Sequence, residues 1–219
     1  MHMDINQKSA IIKQFSLFNS LTGPEFIFIS QNAKPVVFLP HKTIISQDNS
    51  GEGIFLIYKG LIRIFILSEE GKVIPIKVKS HPYVIGIVDV ISHERESIVE
   101  AIIETKALFI PKVCFLKIIQ ENVQVTYSVL QLVTKKLRET NFQTEYYFSS
   151  TLKDRTLHVL KELAPFFSEN TITLSHEEIA DIVGATRARV TEVLDELSEQ
   201  GIISISQRKI LVLRSTASA

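Results

Sequence analysis

Apolar residues in the first half of the chain come in short β-type runs. They are Pro35-Val36-Val37-Phe38-Leu39, Thr43-Ile44-Ile45, Ile54-Phe55-Leu56-Ile57-Tyr58, Leu61-Ile62-Arg63-Ile64-Phe65-Ile66-Leu67 and Val73-Ile74-Pro75-Ile76-Lys77-Val78. Gly60, Glu70-Gly71 and Gly86 punctuate them. Strand-length runs at this spacing predict an all-β barrel or sandwich over residues 34–115. Pro75 has no N–H to give a ladder, so its run belongs at a sheet edge or a bulge. Ahead of the strands, residues 9–29 carry helix-spaced apolar positions, broken near Gly23-Pro24.

From about Lys112 the period becomes helical, and residues 122–149 contain neither Gly nor Pro. Leu130, Val133 and Leu137 fall at alternating three- and four-residue steps, continued by Thr144 and then Tyr147 or Phe148. A helix of this length buries one face on its own domain. A second seam most simply meets its copy in a partner chain, as in a two-stranded coiled coil, the alternative being a single core-packing helix.

Residues 153–213 form a third segment. Leu157, Leu160, Leu163 and Ala164 mark one helix ending near Pro165. Ser175 and Glu178 then spell a capping box, with Ile179, Ile182 and Val183 on one face behind it. Gly184 stands where a helix end needs a left-handed residue, and Thr186 is a good N-cap for the next helix. Two helices joined by so short a turn, with Ala180 allowing close approach, predict a helix-turn-helix. In the second helix Val190, Val193, Leu194 and Leu197 form the buried stripe. That leaves Arg187, Ala188, Arg189, Thr191 and Glu192 outward near the end that enters a major groove, where Arg pairs with guanine edges and Thr with a phosphate or a thymine methyl. Ile202–Leu213 predicts a hairpin wing whose basic tip, Arg208 and Lys209, reaches the DNA backbone.

Charge qualifies this picture. Lys and Arg total 24, Asp and Glu also 24, so whole-chain charge does not advertise nucleic acid. From Thr151 onward eight basic side chains face ten carboxylates, so the useful positive field must be confined to the recognition face. Cys114 is the only cysteine and sits in an apolar run. It offers no intrachain disulfide and no cysteine-ligated metal site, and it is expected to be a core thiol rather than a redox sensor. No apolar stretch approaches membrane-span length and no signal core is apparent, so the expected setting is the cytoplasm.

At these residues the chain resembles the Crp/Fnr superfamily, the bacterial regulators typified by the cyclic-AMP receptor protein. The resemblance covers about residues 10–213. It is carried by Phe55-Leu56-Ile57-Tyr58-Lys59-Gly60-Leu61-Ile62-Arg63-Ile64 with Glu70-Gly71, by Gly86, by the long helix, and by Ile179-Ala180-Asp181-Ile182-Val183-Gly184 leading into Thr186-Arg187. It implies an α+β chain with a β-roll (cupin-like jelly roll) sensor over residues 10–118. A dimerisation helix over 119–150 and a winged helix-turn-helix over 151–215 would follow. The implied partners are a second copy of the chain, double-stranded DNA with a palindromic operator, RNA polymerase and an unidentified small-molecule effector. No cofactor, metal or membrane is expected.

The departures from that family bear on mechanism. Its cyclic-nucleotide binders follow the barrel Gly with a Glu for the ribose hydroxyl, whereas here Ile87 follows Gly86. The phosphate-holding Arg-Ser pair falls at Arg95-Glu96, where a carboxylate would repel a phosphate. Thr140 and Asn141 lie where the family's long helix meets the adenine. An iron–sulfur sensor needs several cysteines. A haem ligand among His41, His81 and His93, an apolar or aromatic effector, and no effector at all stay open. In the recognition helix Arg187 matches the readers of TGTGA-type half-sites, but Ala188 and Glu192 replace their Glu and Arg and Arg189 is an added cation, so the operator is expected to differ. An enzyme built on Asp4, His41, His81 and Glu94 has no phosphate loop, nucleophile elbow or metal-spaced cluster behind it. A ligand-binding β-roll with a protein-interaction tail gives Arg187 and Arg189 no purpose.

Overall fold

The computed structural model describes residues 3–46, 51–92, 97–206 and 209–213. The chain divides into two compact units, one made of residues 1–66 and 76–141 and the other of 67–75 and 142–219.

The first unit opens with α1 (Ile5–Ile12), a 3-10 turn (Ser16–Phe18) and α2 (Gly23–Asn32). Gly23-Pro24 begins α2 instead of breaking a helix: proline is tolerated in a first turn, where its missing N–H has no partner to lose. The strands are β1 (Lys34–Phe38), β2 (Thr43–Ile45), β3 (Gly53–Lys59), β4 (Leu61–Leu67), β5 (Val73–Ser80), β6 (Tyr83–Ile85), β7 (Ile98–Ala101) and β8 (Thr105–Pro111), with the short helix α3 (Ile87–Ser92) between β6 and β7. They pair into two four-stranded sheets, ordered β1-β8-β3-β6 and β2-β7-β4-β5. Pro75 lies on β5, the edge strand of the second sheet, where proline is tolerated.

Alternation along β3 shows how the roll is filled. Ile57 points inward with Ile85 and Ala107, toward Ile44, Ile45, Ile62, Ile64, Val99 and Ala101 of the other sheet. Ile54 and Leu56 point the other way, into a core shared with α1, α2, α4 (Lys112–Glu121) and the start of α5 (Val123–Ser149). Cys114 is buried in that second core, and burial raises its thiol pKa, so it packs as a small hydrophobe. Asn122 fixes the entry to α5: its Oδ1 accepts from the Gln124 and Val125 amides, and its Nδ2 donates to the Glu25 carboxylate on α2.

The second unit contains α6 (Leu152–Leu163), β9 (Thr171–Ile172), α7 (His176–Val183), α8 (Arg187–Glu199), β10 (Ile203–Ser206) and β11 (Lys209–Val212). The three strands form an antiparallel sheet ordered β10-β11-β9. Its core gathers Leu160, Leu163, Ile172, Ile179, Val190, Leu194, Leu197, Ile203 and Ile210, all buried. Val193, expected in the buried stripe, is half-buried.

Candidate nucleic-acid interface

The turn between α7 and α8 is built from three local devices. Ser175 caps α7 and Glu178 returns the bond, its carboxylate accepting from the Ser175 amide at 2.7 Å. Gly184 ends the helix at φ 68°, ψ 48°, and the Ala185 amide reaches back to the Ala180 carbonyl at 3.1 Å. Thr186 then caps α8 through the Arg189 amide.

With Val190, Leu194 and Leu197 buried, the opening turn of α8 faces solvent: Thr186, Arg187, Ala188, Arg189 and Glu192 are all exposed. Thr191 is different. Its hydroxyl lies 2.9 Å from His176 Nδ1 and donates to the Arg187 carbonyl at 3.0 Å, so it braces α8 against α7 and leaves only its methyl for a base. The Ser175 hydroxyl is likewise occupied by the cap. On the wing, Lys209 is exposed, while Arg208 lies outside the described residues.

The supports behind this face are contacts that local sequence pattern does not reveal. The Tyr147 hydroxyl donates to the Val183 carbonyl at 2.5 Å, pinning the last turn of α7 to the end of α5. Arg155 sits over the Tyr147 ring, 4.6 Å from its centroid, and donates to the Tyr147 and Ser150 carbonyls. His176 joins the two helices as described. None of these pairs leaves a trace in local periodicity, because their members are 5 to 36 residues apart.

In the first unit a cavity of about 580 Å³ opens beside the roll interior. Ile45, Ile64, Ile76, Ile85, Ile87 and Val99 make its walls apolar, and Lys77, Lys136, Asp89 and Thr140 bring polar atoms. Gly86 stands at its rim with φ 88°, and a Cβ there would approach the Gly53 carbonyl oxygen to 2.7 Å, so only glycine fits. Ile87 is 2% exposed and is part of the core. Of the residues expected to meet an effector, Gly86, Ile87 and Thr140 converge here. Asn141 is exposed and contributes nothing to the lining, because one residue along a helix turns the side chain by about 100°. Arg95, Glu96 and His93 lie outside the described residues. His81 is engaged in its turn, with Nδ1 3.2 Å from the Gly60 nitrogen, and His41 is exposed at φ 63°.

Lys77 donates to the Thr140 hydroxyl at 3.1 Å, and Lys136 donates to the Val84 carbonyl and lies over the Tyr83 ring. Burial, reinforced by the neighbouring Lys77 charge, pushes the Lys136 ammonium down to about 8. Burial and the Lys79 charge lower Lys77 as well.

Of the seam residues on α5, Leu130 and Leu137 are each 61% exposed and Thr144 is exposed. Val133 instead turns inward, packing on its own domain's core and lining the cavity. It lies about 60° from Leu130 toward the domain, while Thr134 continues the outward row.

Residues 35–122 match the cyclic nucleotide-binding domain family and residues 154–217 the Crp-like helix-turn-helix domain, in the order that the fold displays. The chain belongs to the Crp/Fnr family. It is a DNA-binding transcription regulator with a cyclic-nucleotide-binding-type β-roll, a long helix and a C-terminal helix-turn-helix. Among similar Crp/Fnr proteins, the global nitrogen regulator of Synechococcus elongatus is 26% identical over 186 residues, 80% of this chain and 84% of that protein. The CRP-like cAMP-activated global transcriptional regulator of Mycobacterium tuberculosis is 20% identical over 210 residues, 92% and 94% of the two chains. A Crp/Fnr transcriptional regulator from Eubacterium rectale has the same fold, with a TM-score of 0.82 at 23% identity over 93% of this chain and 96% of its own. In this Crp/Fnr chain no described helix is long and apolar enough to cross a membrane.

Proposed function

We propose that the chain works in the cytoplasm as a homodimer that reads a two-fold repeated DNA operator, with RNA polymerase as its downstream partner. Its working parts are the sensor (10–118), the dimerisation helix (119–150) and the reading domain (151–215). The observation that carries this is the opening turn of α8, where Arg187, Ala188 and Arg189 are all exposed on a helix capped by Thr186. A helix N-terminus presenting Arg beside a small side chain suits close approach to base edges and phosphates. Selection of genomic fragments by the purified protein, with and without cell extract, tests the reading. Enrichment of fragments sharing an inverted repeat is expected, and enrichment without any common sequence would overturn it.

In this reading the sensor answers to something other than cyclic AMP. Ile87, buried behind Gly86, brings no oxygen to a ribose hydroxyl. Calorimetry should show cyclic AMP binding weakly or not at all, and low-micromolar affinity would refute this part.

A further inference from the structure

We propose that the sensor cavity receives a small organic anion with an apolar body, its oxyanion held between the ammonium groups of Lys77 and Lys136. The proposal rests on the reading of the β-roll as the sensor and names what that sensor takes.

Two lysines reach this cavity from different elements, Lys77 from β5 and Lys136 from α5. Among the described residues neither is in an ion pair; their partners are a hydroxyl and a backbone carbonyl. Holding two ammonium groups near each other in an apolar setting costs free energy, and a wall that only had to pack would carry Leu or Met there. The charged groups around Lys136 among the described residues do not balance it. Lys77 and Lys79 on β5 add positive charge, Tyr83 on β6 is held neutral by burial, and Glu139 on α5 is committed to Lys79 at 3.0 Å. Among the described residues Asp89 on α3 is the other carboxylate that faces the two lysines.

The missing negative charge fits an incoming oxyanion, for which two ammonium groups provide charge-assisted donors. The rest of the ligand must be apolar, because nine of the lining residues are Ile or Val. A volume of about 580 Å³ accommodates a metabolite of modest size. The lowered Lys136 pKa adds a signature. A bound anion favours the charged ammonium and raises that pKa, so near pH 8 binding must take up protons.

The test is calorimetry of the full chain with phenylacetate, 4-phenylbutyrate and octanoate, each against its neutral amide, at pH 8 in two buffers of different ionisation heat. At least one acid should bind about tenfold more tightly than its amide, with net proton uptake. Lys77→Met and Lys136→Met should each erase that preference while leaving amide binding in place. Amides that bind as well as their acids, binding of the acids without proton uptake, or no binding of any acid up to about 10 mM would overturn the proposal. The acid–amide comparison on the unaltered chain needs no variant, so a misfolded substitution does not decide it. Gel shifts run in parallel separate the two readings: acid preference in a chain that binds no DNA sinks the DNA reading alone, and DNA binding without acid preference sinks this one.

Discussion

Arg187 and Arg189 stand two residues apart on the exposed start of α8, about 200° around the helix, so they point to different sides of it and are expected to play different parts. Arg187, in register with the family's base reader, is expected to contact a guanine edge. Arg187→Ala should cost about 1–3 kcal/mol and relax preference at one base pair. Arg189→Ala should weaken all sequences alike and reduce the salt slope by about one unit. Titrations over a panel of single-base operator variants check both, and a uniform loss for Arg187→Ala with altered base choice for Arg189→Ala would exchange the roles. A second residue-scale expectation concerns the turn itself. At Gly184 φ is +68° and a Cβ would come 2.7 Å from the Tyr147 hydroxyl oxygen, so Gly184→Ala should destabilise the reading domain by about 1–3 kcal/mol in urea melts. Adding Tyr147→Phe should recover part of that loss, and strict additivity of the two changes would show that the contact is not the cause. The need for Gly184 was legible in the sequence because a helix end is a local event. The Tyr147 bond that makes the position still stricter was not, since it joins residues 36 apart.

Helix α5 buries Val125 and Val129 against its own domain and leaves Val123, Tyr127, Leu130, Leu137 and Phe148 exposed, from 56% to 90%. With Thr134, Asn141 and Thr144 these complete a row of four- and three-residue steps from end to end, the spacing of a two-stranded coiled coil. Leu130→Glu should put an unpaired charge into that contact and yield monomers at micromolar concentration by light scattering. Leu130 is a cleaner probe than Leu137, which also lines the sensor cavity. Wild type already monomeric under the same conditions would remove the dimer. The helix and its exposed row follow from periodicity alone, yet periodicity puts Val133 in that row where the fold puts Thr134. Both satisfy the step rule, hydrophobicity favoured valine, and only packing shows that the domain uses Val133 for itself. The strands behaved similarly. Five runs bounded by turn signals correspond to β1 to β5, whereas β6 and β7, only three and four residues long, and β8 carry no such bounded pattern.

At the scale of the whole molecule the order of parts is more informative than its charge. A reading domain with ten carboxylates to eight basic side chains has little general attraction for a polyanion, so in the proposed dimer affinity is expected to come from geometry, with two recognition helices presented together at a fixed separation. A symmetric dimer places them in successive major grooves on one side of the duplex, with half-site centres about 34–36 Å apart. The expected site is therefore an inverted repeat with that spacing. Inserting five base pairs between the half-sites turns one about half a helical turn away from the other and should reduce affinity to that of a single half-site. Leu130→Glu, by separating the chains, should bring the intact operator down to the same level, and the inserted operator should then cost the variant nothing further. Titrations of both proteins on both duplexes at one salt concentration make the comparison. Equal wild-type affinity for the two duplexes would mean that the helices engage DNA one at a time, and the link between the α5 seam and operator symmetry would fail.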